Sequence, residues 1–159
     1  MNRRKQIGLV TCLSLCLIWA LCFTSAIAQT NLARLKAWEG KYPTEKKGRI
    51  TRRFFSDAAI RNSLARLLSR GDFALLTKEY SVETPIMRAG DYLTVKVCRP
   101  HLCPEQAAFA INLTTGVVYV RMAIDENARW FSSKGDESGL PRNVRDYMED
   151  FSRAEIDSP

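Results

Sequence analysis

The chain has 159 residues, with 24 Lys and Arg against 17 Asp and Glu for a net charge of +7, and it holds a single histidine, His101. That leaves no spare histidine for a Ser-His-Asp set, no Gly-rich phosphate loop stands in the sequence, and neither an enzyme nor a cofactor is expected. Three of the cations sit at positions 3 to 5 in a segment that reads as a leader, so residues 29–159 carry +4. That excess is too small to argue for a nucleic-acid partner.

The N-terminus runs Asn2-Arg3-Arg4-Lys5, then an apolar stretch from Ile7 to Phe23, then Thr24-Ser25-Ala26-Ile27-Ala28. A basic flank, an apolar centre and small residues at Ala26 and Ala28 predict a secretory signal peptide over residues 1–28, cut after Ala28. The rival reading is a retained membrane anchor, since the apolar stretch approaches the shortest spanning length. A lipid anchor is disfavoured, because Thr11, Leu15 and Leu21 rather than small residues precede Cys12, Cys16 and Cys22. Residues 29–159 suffice for one domain with a single core, and no membrane contact is expected of them after cleavage.

Only Cys98 and Cys103 lie beyond the leader. Exported chains meet oxidising conditions, and two cysteines five positions apart with no competitor read as one disulfide.

Along the domain, Asn31 can cap a short helix with Leu32, Leu35 and Trp38 on one face, ended by Gly40. Residues 41–53 hold Pro43, Gly48 and six cations, which predicts an exposed connection. Ser56 as N-cap, Asp57 in the first turn, and Ile60, Leu64, Leu67 and Leu68 at helical spacing predict the firmest helix. Gly71 is expected to stop it. Asp72 is expected to cap a second helix burying Phe73, Leu76 and Tyr80.

The period then changes to two. Leu93, Val95 and Val97 point one way and Tyr92, Thr94 and Lys96 the other, which predicts a strand, with 83–87 pairing back through Ala89-Gly90-Asp91. Ala107, Phe109 and Ile111 predict a third strand; after the turn Thr114-Thr115-Gly116, Val118, Val120 and Met122 predict a fourth. A short strand at Arg129-Trp130-Phe131 and a helix after Pro141, with Val144, Tyr147, Met148 and Phe151 as its stripe, complete the order. The grouping predicts an α+β fold: an antiparallel meander covered on one face by helices, with a protruding disulfide-closed loop. Trp38 and Trp130 read as core residues, Asp125-Glu126 and Asp136-Glu137 as solvated turn charges, and Asn112-Leu113-Thr114 matches a glycosylation sequon.

The candidate site is that loop, Cys98-Arg99-Pro100-His101-Leu102-Cys103. Cys98 is expected to end one strand and Cys103 to lie just before the next, while Pro100 fixes one φ, so the tip is pre-organised for docking. A redox pair usually places two residues between its cysteines, not four. A metal would need more ligands than one histidine and two oxidised cysteines, and a Cys-His nucleophile fails once the cysteines pair. A hairpin staple with an incidental histidine stays open.

The stretch Val97-Cys98-Arg99-Pro100-His101-Leu102-Cys103 resembles the Ivy family, inhibitors of vertebrate (c-type) lysozyme from Gram-negative bacteria, which carry a C-K-P-H-x-C-type loop between two strands. Cys98, Pro100, His101 and Cys103 match, Arg99 replaces the lysine, and Leu102 departs from a polar or acidic position. The order of elements over about residues 50 to 125 resembles the family as well. The resemblance implies a periplasmic α+β protein, often a homodimer, whose loop plugs the lysozyme cleft with His101 hydrogen-bonded to the two catalytic carboxylates. Another envelope partner, such as the cell's own lytic transglycosylase, is the alternative.

Overall fold

Period-two alternation in the middle of the chain builds the sheet on which everything else is mounted. The computed structural model describes residues 32–124 and 127–150; the expected leader, the expected Asn31 cap, Asp125-Glu126 and Phe151 lie outside the described residues. In chain order come a 3-10 segment Arg34–Trp38, strands β1 (Thr44–Lys47) and β2 (Ile50–Arg53), and a 3-10 turn Phe54–Ser56. Helices α1 (Ala58–Leu67) and α2 (Arg70–Ala74) follow, the second prolonged by a π turn over Leu75–Glu79. Strands β3 (Val82–Glu83), β4 (Met87–Ala89), β5 (Tyr92–Arg99), β6 (Leu102–Asn112), β7 (Val118–Ile124) and β8 (Asn127–Ser132) precede helix α3 (Arg142–Glu149). The main sheet runs β3-β5-β6-β7-β8, with β4 on the other half of the same β5 edge, and every pairing is antiparallel. This is the expected α+β meander.

Both faces of the sheet are covered, which corrects the one-sided expectation. Leu93, Val95, Val97, Phe109, Ile111, Val120 and Met122 face a core closed by Leu35, Trp38, Phe54, Ile60, Leu64 and Leu76. The opposite face packs Tyr92, Ala108, Ala110 and Tyr119 against Leu140, Val144 and Met148. Thr94 and Lys96 read as solvent-facing because they are polar, yet Lys96 is only 5% exposed. Its ammonium donates to the Asp150 carbonyl oxygen and stands 4.2 Å from the centre of the Tyr147 ring, so the end of α3 supplies the partners that water would.

Local chemistry moves several boundaries. Ser56 is consumed by the 3-10 turn, and Asp57 caps α1 instead: its carboxylate accepts from the Ala59 N–H at 3.0 Å and pairs with Arg34 at 2.7 Å. Ser69 caps α2, its hydroxyl accepting from the Asp72 N–H at 3.1 Å, so Gly71 lies inside the helix rather than stopping it. Asp72 is no cap; its carboxylate accepts from Arg129 at 2.8 Å and ties α2 to β8.

Residues 41–53 are not a plain connection. β1 and β2 pair from Thr44↔Arg53 to Lys47↔Ile50 as a separate two-stranded hairpin whose Gly48 takes φ +61°. The expected strand over 83–87 is split, because Pro85 has no N–H to give a ladder. At the break, Ile86 exchanges backbone hydrogen bonds with Gly40 and Lys41, both at 2.8 Å, and covers that edge.

Candidate functional site

The β5–β6 hairpin carries the loop at its tip, and the strands run further than the sequence implied. Arg99 is the last residue of β5, Leu102 the first of β6, and the two are partners, so Cys103 lies inside β6 and only Pro100 and His101 make the turn. The register jumps from Cys98↔Gln106 to Arg99↔Leu102, which leaves residues 103–105 as a bulge with no partner in β5. Pairing of β6 with β7 stops at Gln106, so beyond the Cys98–Gln106 pair the tip stands clear of β7. Its shorter arm, Arg99 and Pro100, sets a reach of roughly 7 Å at about 3.3 Å per residue.

Pro100 followed by a residue at positive φ is the signature of a type II turn, in which Pro presets the first central position. The second is His101 at φ +62°, the single non-glycine residue with positive φ among the described residues. An L-residue in that region costs roughly 1 kcal/mol or more. Type II turns also splay a hairpin, and the adjoining bulge absorbs the mismatch. The outcome is an imidazole held exposed at the apex beside Leu102, itself 47% exposed.

Arg99 does not point freely to a partner. Its guanidinium donates to Glu105 at 3.0 Å and lies 3.6 Å from Glu79, and the hydrogen bond and charge of Glu105 hold it further above its ordinary range. The bulge is what swings Glu105 into place. Arg99 is thus a positioning residue that straps the base of the tip to the end of the π turn, and solvent screens a pair so exposed. Cys98 is buried in β5. Glu79 and Glu105 were not singled out in the sequence, since no motif marks a bulge in advance.

Beneath the strap lies Tyr80, buried, its hydroxyl without a hydrogen-bond partner among the described residues. Burial first, and then the Glu105 carboxylate, push it up to about 12. A raised folded value means that stability is fully present below the unfolded value near 10 and is lost as pH rises through about 12, by up to about 3 kcal/mol. Tyr80→Phe should be neutral or stabilising by about 1 kcal/mol at pH 8 and should lack this alkaline loss. Urea denaturation of both proteins at about pH 8 and pH 11 checks it; equal alkaline losses would show that Tyr80 is not the group responsible.

The other residues noted in the sequence have structural work. The Asn112 carboxamide oxygen accepts from the N–H groups of Thr114 and Thr115 at 2.9 and 2.8 Å, holding the β6–β7 turn. Asp136 accepts from Ser138 in the loop before α3. Trp38 is buried in the main core and Trp130 packs partly buried on the second. Among the described residues no group of three or more His, Cys, Asp and Glu side chains could hold a metal ion.

The sheet thus lifts one imidazole and one apolar side chain, both exposed, on a two-residue turn. The chain belongs to the inhibitor of vertebrate lysozyme (Ivy) family, whose model matches residues 59–154 and so includes the whole tip. Membership implies a lysozyme inhibitor and a protein partner of the lysozyme kind. No curated protein and no solved structure matched the chain. Residues 32–58, including the β1–β2 hairpin, lie outside the family match.

Proposed function

We propose that the chain is a periplasmic inhibitor of c-type lysozyme that inserts the tip Arg99–Leu102 into the active-site cleft, with His101 hydrogen-bonded to the two catalytic carboxyl groups. The observation that carries this reading is His101 itself, exposed at φ +62° at the apex of a tip that lies within the family match. C-type lysozymes keep one carboxyl protonated and one ionised on either side of the scissile bond, and an imidazole can bond to both. A plug in the cleft cannot share it with glycan. In a cell-wall turbidity assay, inhibition by the purified protein should therefore be relieved as substrate rises; inhibition that substrate never relieves would place the contact outside the cleft.

The same proposal includes export and a closed loop. Cys98 and Cys103 flank the Arg99–Leu102 pair on either side of the turn, and no other cysteine follows the leader. A bond between them would contribute about 2 kcal/mol by closing so short a loop, and would also spare the tip part of its ordering cost on docking. The intact mass of protein recovered after export should correspond to a chain that starts at Gln29 and lacks two hydrogens. A full-length mass, or two titratable thiols, would contradict it. Replacing Cys98 and Cys103 together by Ser should leave the fold intact and weaken lysozyme binding by ordering entropy, on the order of 1 kcal/mol per freed loop residue before compensation.

A further inference from the structure

The positive charge of this protein is gathered in one place. Residues 41–53 hold six cations and Glu45, a net +5, whereas residues 29–159 as a whole carry +4. Everything else in that span therefore sums to −1. Loss of the leader, on which the expectation of no membrane contact rests, leaves this local charge in place.

The β1–β2 hairpin is its own two-stranded sheet, and β2 is exposed at every residue. Lys46, Lys47, Arg49 and Arg53 are exposed and form no ion pair among the described residues. Lys41 and Arg52 are engaged, 3.8 and 3.9 Å from Glu45, and Arg52 also lies over the Trp38 ring. In the ladder Lys46 lies opposite Thr51 and Lys47 opposite Ile50, so cations occupy both faces. A partner that reads one face would leave either Lys46 or Lys47 unused; a surface met tip-first uses both together with Arg49. At that tip the positive φ falls on Gly48 alone, as a two-residue II′ turn requires, and next to it Ile50 stands 66% exposed.

We propose that the β1–β2 hairpin docks on the surface of an anionic phospholipid bilayer. Ile50 enters the boundary between headgroups and acyl chains, and Lys46, Lys47 and Arg49 meet the lipid phosphates around it. An acidic protein or a nucleic acid would satisfy the cations equally, but neither gives a purpose to an apolar residue at the apex of so charged a hairpin. The inference is independent of lysozyme inhibition, because the hairpin lies outside the tip and outside the family match.

The test is flotation of protein recovered after export, its N-terminus fixed by intact mass, with vesicles of phosphatidylglycerol and phosphatidylcholine or of phosphatidylcholine alone. The protein should float with the anionic vesicles only, and should release as salt rises from about 0.05 to 0.5 M. Lys46→Gln, Lys47→Gln and Arg49→Gln combined should lower partitioning by roughly a hundredfold, about fivefold per cation. Ile50→Ser should lower it several-fold while leaving retention on a heparin column unchanged. Circular dichroism and lysozyme inhibition should match the parent in both variants, which separates loss of docking from loss of fold. Equal partitioning of the triple variant and the parent would overturn the proposal. So would flotation with uncharged vesicles, or an Ile50→Ser protein that binds anionic vesicles as the parent does, since the hairpin would then be a general polyanion binder.

Discussion

His101→Gly is expected to weaken lysozyme binding by roughly 30- to 1000-fold, or 2–4 kcal/mol, while conformational stability stays within about 1 kcal/mol of the parent. The two effects part because His101 occupies φ +62°. Glycine accepts that conformation without steric cost, which offsets the entropy it gains in the unfolded chain. Binding gains nothing in return: truncating the imidazole strands the buried carboxyl groups it is proposed to satisfy. Alanine would be a less clean probe, because its Cβ keeps the backbone penalty while losing the ring. Calorimetric titration against a c-type lysozyme, together with urea denaturation, reads both quantities. A glycine variant that binds like the parent would reduce the hairpin to a structural staple.

Phe54→Ala is expected to cost about 3–5 kcal/mol, a large share of the 5–15 kcal/mol that typically separates folded from unfolded domains. Phe54 is fully buried and meets three rings edge-on, Trp38 at 5.7 Å, Phe55 at 5.5 Å and Phe109 at 5.7 Å. Its N–H also donates to the Pro43 carbonyl at 2.7 Å, so one residue joins the N-terminal segments to β6. Truncation removes the ring contacts together and leaves a void that the flanking sheet cannot close. Since Phe54 precedes the family match at residue 59, the result also tells whether residues 32–58 belong to the same folding unit. A midpoint in urea close to the parent's would mean that the segment is an appendage.

What could be read in advance follows from where burial writes a pattern. β5, β6 and β7 were legible because Leu93, Val95, Val97, Phe109, Ile111, Val120 and Met122 alternate strictly and all face one core. The hairpin of residues 44–53 was not, because a strand exposed on both faces needs no alternation and cations suit either face. Thr94 and Lys96 misled for the opposite reason: they are polar, and the helix that buries them arrives some fifty residues later. The cap on α1 slipped by one residue because both Ser56 and Asp57 can accept from a helix N-terminus, and the 3-10 turn before it decides between them. At the tip, the place of the turn was evident from Pro100 and the flanking cysteines, but its length was not, since the strands run on to Arg99 and Leu102. The strap Glu79–Arg99–Glu105 was hidden because it exists only through the bulge at 103–105.

The broken outer strand bears on how copies of this protein coexist. An uninterrupted border strand offers a row of free amides and carbonyls on which a neighbouring chain can grow, the usual first step toward precipitation. Here the row is cut into Val82–Glu83 and Met87–Ala89, and the amide and carbonyl of Ile86 between them are already taken by Lys41 and Gly40. The Glu83 carboxylate is turned to the Thr44 amide and hydroxyl at 2.9 and 2.7 Å, which lays the start of the hairpin along the same border. No template longer than three residues is left on that side, so concentrated solutions should stay clear of intermolecular strand addition there without any help from net charge.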